Sequence, residues 1–147
     1  MQLTVATEYA VRCVLHLAGA TAGAVVARRE IAQARAIPAP FLAKLAQRLA
    51  HAGLIRIQAG ARGGYALCQP ASQITLLAVV EAADGELVLQ PCAAKPQACP
   101  RSPACPAHRV WAKARRQLRA TLAHVTFDQL AAQEKPPTRT RKSAWTS

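Results

Sequence analysis

The chain has 147 residues, about one domain's length, and 52% of its side chains are apolar, too many for wholesale disorder. Lys and Arg number 19 against 7 Asp and Glu, and the net charge of +12 implies a polyanionic partner, nucleic acid or an anionic membrane surface. Five cysteines, an odd number, do not suit a secreted disulfide scaffold, which would be shorter and richer in cysteine.

Thr4 to Ala20 reads as a helix, with Tyr9, Cys13 and Leu17 stacked at i, i+4, i+8 and Ala10, Val14 and Ala18 beside them. Thr4 caps it, and Glu8 sits near its start, where the helix dipole favours a carboxylate. The apolar run Cys13 to Ala27 imitates a signal peptide. Glu8 precedes it, His16 interrupts it, and it is too short to span a membrane. A reducing cytoplasm is therefore the expected compartment.

Gly19 to Gly23 is a loop. Arg28 to Ala36 is a short helix with Ile31 and Ala32 inward, and Ile37-Pro38-Ala39-Pro40 is a tight connection. Pro40 opens the next helix, which Gly53 ends. Its expected apolar face is Phe41, Leu42, Leu45 and Leu49. Its other face is a polar stripe of Lys44, Gln47, Arg48 and His51.

Leu54 to Ile57 and Tyr65 to Cys68 read as strands around the turn Gly60-Ala61-Arg62-Gly63-Gly64. Thr75 caps a helix to Ala83, and Asp84-Gly85 ends it. Pro106 to Val125 is a longer helix, with Val110, Trp111, Ala114, Leu118 and Leu122 on one side. Thr126 caps a last helix, Phe127 to Gln133. The stretch from 134 to 147 is a basic tail of low apolar content, expected to be disordered.

Two helices around a tight turn, then a glycine-tipped hairpin, make a winged helix-turn-helix pattern. The fold class is mainly α with a small β-hairpin wing. The second helix of such a unit buries one face and offers long polar side chains to bases and phosphates with the other. Lys44, Gln47, Arg48 and His51 meet that need. Arg62 at the wing tip suits a narrow minor groove, and the neighbouring glycines, Gly63 among them, permit close approach. No acid occurs between Ile31 and Val80, whereas Arg35, Lys44, Arg48, Arg56 and Arg62 do.

Between the wing unit and the long helix lies PCAAKPQACPRSPACPAH, Pro91 to His108. Its pattern is Cys-x6-Cys-x5-Cys-x2-His, with five prolines that stiffen the loop and lower the entropy lost on closing around a ligand. Structural zinc sites pair cysteines more closely. Iron–sulfur clusters take thiolates, sometimes with histidine in place of one. Spacing leaves three readings open: a cluster, zinc, or thiols that are redox-active or idle. Cys13 and Cys68, on an apolar helix face and a strand, read as ordinary buried residues.

Three segments together resemble a known family: LTVATEYAVRCVLHLA at Leu3 to Ala18, GLIRIQAGARGGYAL at Gly53 to Leu67, and the three-cysteine loop. They are similar to the Rrf-family winged-helix iron–sulfur regulators typified by IscR, NsrR and RirA, over roughly residues 1–132. The resemblance implies a homodimer held by the long helix, binding double-stranded DNA at a palindromic operator. It implies cluster ligation by Cys92, Cys99 and Cys105, with a 2Fe–2S or 4Fe–4S cluster. An IscR-like fourth ligand falls on His108, and an NsrR-like one, from the partner subunit, on Glu8. Three parts follow: a DNA-binding domain at 1–83, a cysteine loop and dimerisation helix at 84–133, and the tail. The expected activity is cluster-gated DNA binding without catalysis. The alternatives are a regulator with structural zinc or a cluster-free thiol loop, and an iron–sulfur electron carrier, although no GxGxxG fingerprint is present.

Overall fold

The computed structural model describes residues 3–135. Among the described residues, seven α-helices and one hairpin follow in order: α1 Val5–Gly19, α2 Arg28–Arg35, α3 Ala39–His51, β1 Ile55–Gln58, β2 Gly64–Leu67, α4 Leu76–Asp84, α5 Pro91–Ala94, α6 Pro106–Ala123 and α7 Phe127–Gln133. This is the winged helix-turn-helix that the sequence predicts. Apart from Glu134 and Lys135, the predicted basic tail lies outside the described residues.

Helix α1 is the spine. Its cap is the expected one: Thr4 Oγ1 accepts from the Ala6 N–H at 3.2 Å. Ala10, Cys13, Val14 and Leu17 are buried on one stripe. Ile31 of α2, Leu42, Leu45 and Leu49 of α3, Ile55 of β1 and Val79 of α4 close the core around it. Phe127, fully buried at the start of α7, brings the end of the fold back to the same core. Two backbone bonds fix that return: Leu76 N–H to Val125 O at 2.8 Å and Phe127 N–H to Ile74 O at 3.0 Å.

The α2–α3 turn is made by Ala36 in the left-handed region, φ 52°, and Pro38 then precedes α3. The wing is antiparallel, with Ile55 opposite Leu67 and Gln58 opposite Gly64. It is tied to the segment before α2 by reciprocal backbone bonds between Val26 and Tyr65, both 2.9 Å.

Four expectations change. Phe41 is 39% exposed, and Ala46 takes its place on the buried face. Phe41 stands in the first turn of α3, where it meets the Tyr9 ring edge-on at 5.3 Å. Cys68 is exposed, because the strand ends at Leu67. The cysteine segment is not a plain loop. It is a series of short turns, α5 followed by 3-10 turns at Pro96–Ala98 and Ser102–Ala104. Helix α6 stops at Ala123 and has no fully buried residue: Ala114, Leu118 and Leu122 are half-buried, whereas Val110 and Trp111 are exposed. No helix among the described residues is long and apolar enough to cross a membrane.

Candidate DNA-binding face and cysteine loop

Helix α3 buries Leu42, Leu45, Ala46 and Leu49. The helical period then turns Lys44, Gln47, Arg48 and His51 outward, and all four are exposed, as is Pro40 in the first turn. The four stripe residues line one open cleft together with Ala52, Glu81 and Ala82. Arg48 has a second task. Its Nη1 donates to the carbonyl oxygen of Ala83 at 2.8 Å, tying α3 to the end of α4.

The wing turn is closed by Gly63 N–H to Gly60 O at 3.0 Å, with Arg62 exposed at its tip. A Cβ on Gly63 would overlap the carbonyl oxygen of Gln58, and one on Gly64 would overlap that of Val26. Arg56 Nη2 donates to Gly23 O at 3.1 Å. A cation that sequence reasoning missed stands beside the wing: Arg28, the first residue of α2, lines a cleft with Gly60, Gly63 and Tyr65. Burial pushes the Tyr65 hydroxyl above its ordinary value, and the Arg28 charge partly offsets this. The Arg28-Arg29 pair at the helix start was the available signal.

Cys92 lies in α5, Cys99 follows the first 3-10 turn, and Cys105 is the N-cap residue of α6. All three are half-buried and form no disulfide. His108 follows in the first turn of α6. Its Nδ1 is buried with no hydrogen-bond partner, and so is Ser102 Oγ in the preceding turn. The segment Pro91–His108 carries no acid. Soft thiols and a free imidazole nitrogen fit an iron–sulfur cluster in donor chemistry. As folded, no three His, Cys, Asp or Glu side chains among the described residues converge enough to share one metal ion. Glu8 stands apart from the loop residues in sequence, and its carboxylate is paired with Arg12 one turn on.

Two groups sit where sequence reasoning placed no site. The Glu81 carboxylate on α4 takes the Arg119 guanidinium of α6 and the Leu87 N–H, the latter at 3.1 Å. Arg115 Nε donates to Leu87 O at 2.9 Å and its guanidinium also pairs with Glu86. So two of the basic residues between Arg109 and Arg119 fasten α6 to the body. Separately, Leu3, Val5, Val11, Leu76, Val80 and Leu122 line a largely apolar groove together with Glu8 and Arg12.

A family model described as "Rrf2: Iron-dependent Transcriptional regulator" matches residues 3–133. The chain belongs to the Rrf2 family. Rrf2 proteins are described as transcriptional regulators, not enzymes. A Mycobacterium tuberculosis protein named as a helix-turn-helix transcriptional regulator is 37% identical over 59% of this chain and 54% of its own length, so the match spans about half of that relative. The oxidized form of Staphylococcus aureus CymR superposes with a TM-score of 0.71 at 26% identity, covering 92% of this chain and all of that one. IscR of T. potens shares the Rrf2 fold at 22% identity, with a TM-score of 0.67, covering 92% of this chain and 93% of its own.

Proposed function

We propose that this Rrf2 regulator binds palindromic double-stranded DNA as a homodimer and that an iron–sulfur cluster on Cys92, Cys99 and Cys105 gates its affinity. The observation that carries the reading is the placement of the thiols. Three unbridged cysteines lie on short turns, the third caps α6, and an unpartnered His108 Nδ1 lies one turn on. His108 is the fourth ligand, since its nitrogen is free, whereas Glu8 is engaged by Arg12. A bound cluster supplies iron whose ligation responds to oxidants, nitric oxide or iron shortage.

The rest is done by the chain. Lys44, Gln47, Arg48 and His51 enter the major groove, and Pro40 starts α3 against the backbone. Arg62 reaches the minor groove, and Gly63 lets the wing approach it. The exposed Val110 and Trp111 of α6 and the apolar groove beside α1 face a second copy. A two-fold dimer matches two half-sites at fixed spacing. Holding or releasing the turns ahead of α6 therefore changes how well both recognition helices fit. Residues 1–83 read DNA, 84–133 sense and dimerise, and 134–147 add basic charge. The protein acts in the cytoplasm, away from membranes.

A second reading has its own support. The thiols do not converge as folded, and the chain is similar to a CymR solved in an oxidized form. On that reading the loop works through its thiols alone, without a cluster. Structural zinc would draw on the same three thiolates and His108, a Cys3His set, and metal analysis tells it from a cluster. Anaerobic purification with iron, sulfide and zinc assays separates these. Matched iron and sulfide, lost in each of Cys92→Ala, Cys99→Ala and Cys105→Ala, supports the cluster. Metal-free protein that resists reconstitution moves the account to the thiols, and cluster retained in all three variants overturns the ligand assignment.

A further inference from the structure

The stretches that flank the cysteine segment are both tied to one carboxylate, that of Glu81. Upstream, the Leu87 N–H donates to Glu81 Oε1 at 3.1 Å. Downstream, Arg119 of α6, the helix that Cys105 caps, donates to the same oxygen and reaches Oε2 at 3.4 Å. Arg115 closes the clamp by holding Leu87 O and Glu86. On the other side, α4 presents the Ala83 carbonyl to Arg48 on the recognition helix at 2.8 Å.

We infer that Glu81 is a positioning residue that couples the cysteine loop to the recognition helix; the inference rests on the regulator reading above. A change in the loop that shifts α6 against Glu86 and Leu87 must strain either the Arg119 pair or the Leu87 bond at Glu81. Helix α4 is short, and its last turn is held by Gly85 N–H to Glu81 O at 2.9 Å, so Glu81 and Ala83 share one hydrogen-bonded turn. The shift arrives at Ala83 O and thus at Arg48. The pair is half-buried, with side chains 26% and 30% exposed, so bulk salt screens it less than a surface pair. Coupling of this kind is reciprocal: if the loop biases DNA binding, DNA binding biases the loop. A mere staple between α4 and α6 would carry stability without that linkage.

The test uses the full chain, metal-free under chelator, with a duplex selected by this protein from random-sequence DNA. N-ethylmaleimide labelling of Cys92, Cys99 and Cys105 is followed site by site by mass spectrometry, with and without the duplex. In the wild type, DNA changes the labelling rates by about five-fold or more, and in Glu81→Gln by less than about two-fold. Arg119→Gln, which removes the other half of the pair, gives the same loss. Circular dichroism confirms that each variant folds. Affinity alone is not the readout, because Glu81 shares the cleft of Lys44 and His51 and removing its charge strengthens anion binding directly. Variants that bind the duplex and keep the wild-type response overturn the proposal, as does a wild type whose loop thiols ignore bound DNA. A wild type that selects no duplex overturns the regulator reading itself, and the proposal with it.

Discussion

Arg48 Nη1 donates to the carbonyl oxygen of Ala83 at 2.8 Å, so a side chain on the exposed polar stripe of α3 also ties down the last turn of α4. Its replacement therefore has two effects. Arg48→Ala lowers stability by about 1 kcal/mol through the lost hydrogen bond. It also weakens binding to the selected duplex, by about 1–3 kcal/mol if the guanidinium reads a base edge in the major groove as proposed. Arg62→Ala, at the exposed wing tip, weakens binding with an unaltered unfolding midpoint. Titrations at several salt concentrations check both, and unchanged affinity in both variants would remove this surface from the account.

The wing depends on a glycine for a packing reason. A Cβ at Gly63 has no room beside the Gln58 carbonyl, so Gly63→Ala must open the turn. The expected cost is about 1–3 kcal/mol of stability, with weaker DNA binding and the loop thiols unaffected. Thermal unfolding reads the first effect and a DNA titration the second. A variant with wild-type midpoint and affinity would show that the turn tolerates the side chain.

The fold also sorts the thiols. Burial pushes Cys13 up to about 12, with the charge of Arg35 only partly opposing it, whereas the other four cysteines are exposed or half-buried. Thiolate is the reactive form. Alkylation of the folded, metal-free chain at neutral pH should label Cys68, Cys92, Cys99 and Cys105 and spare Cys13 until the protein unfolds. Labelling of Cys13 at the rate of the others contradicts the packing of α1.

Asp84, at the end of α4, ties that helix to the start of α1. Thr4 donates to it from its backbone N–H at 3.2 Å and from its hydroxyl at 2.5 Å, and the Thr7 hydroxyl donates as well. Burial opposes ionisation, but the bonds from Thr4 and Thr7 and the nearby Arg48 charge prevail, holding the carboxyl below its ordinary 3.8. A folded-state value below the unfolded one means stability that is present above pH 3.8 and lost as pH falls through the folded value. Wild type should exceed Asp84→Asn in denaturant midpoint at pH 7, and the gap should narrow below 3.8. A gap that stays constant with pH would detach Asp84 from this linkage.

Local signals carried most of the fold. The period of Cys13 and Leu17, the Thr4 and Thr75 caps and the glycines around Arg62 each act within a few residues, and each appears where the sequence places it. The turns around the cysteines were not read from the sequence, although Pro91, Pro96, Pro103 and Pro106, each in the first positions of a turn or helix, were the available signal. What else escaped was long-range. Glu81 meets Arg119 across 38 residues, and Arg48 meets Ala83 across 35, and no local pattern announces either. Phe41 misled because a periodic apolar position in a first turn need not lie under another element. Cys68 misled because the strand ends one residue before it.

If the proposed gating holds, the state of the cysteine loop sets DNA affinity. The most direct test takes one anaerobic preparation and measures its affinity for the selected duplex by anisotropy, before and after iron is removed by chelator. The two dissociation constants should differ by about five-fold or more, in either direction, with the difference abolished in Cys92→Ala. Equal constants in a preparation shown to carry and then lose its iron and sulfide would contradict it.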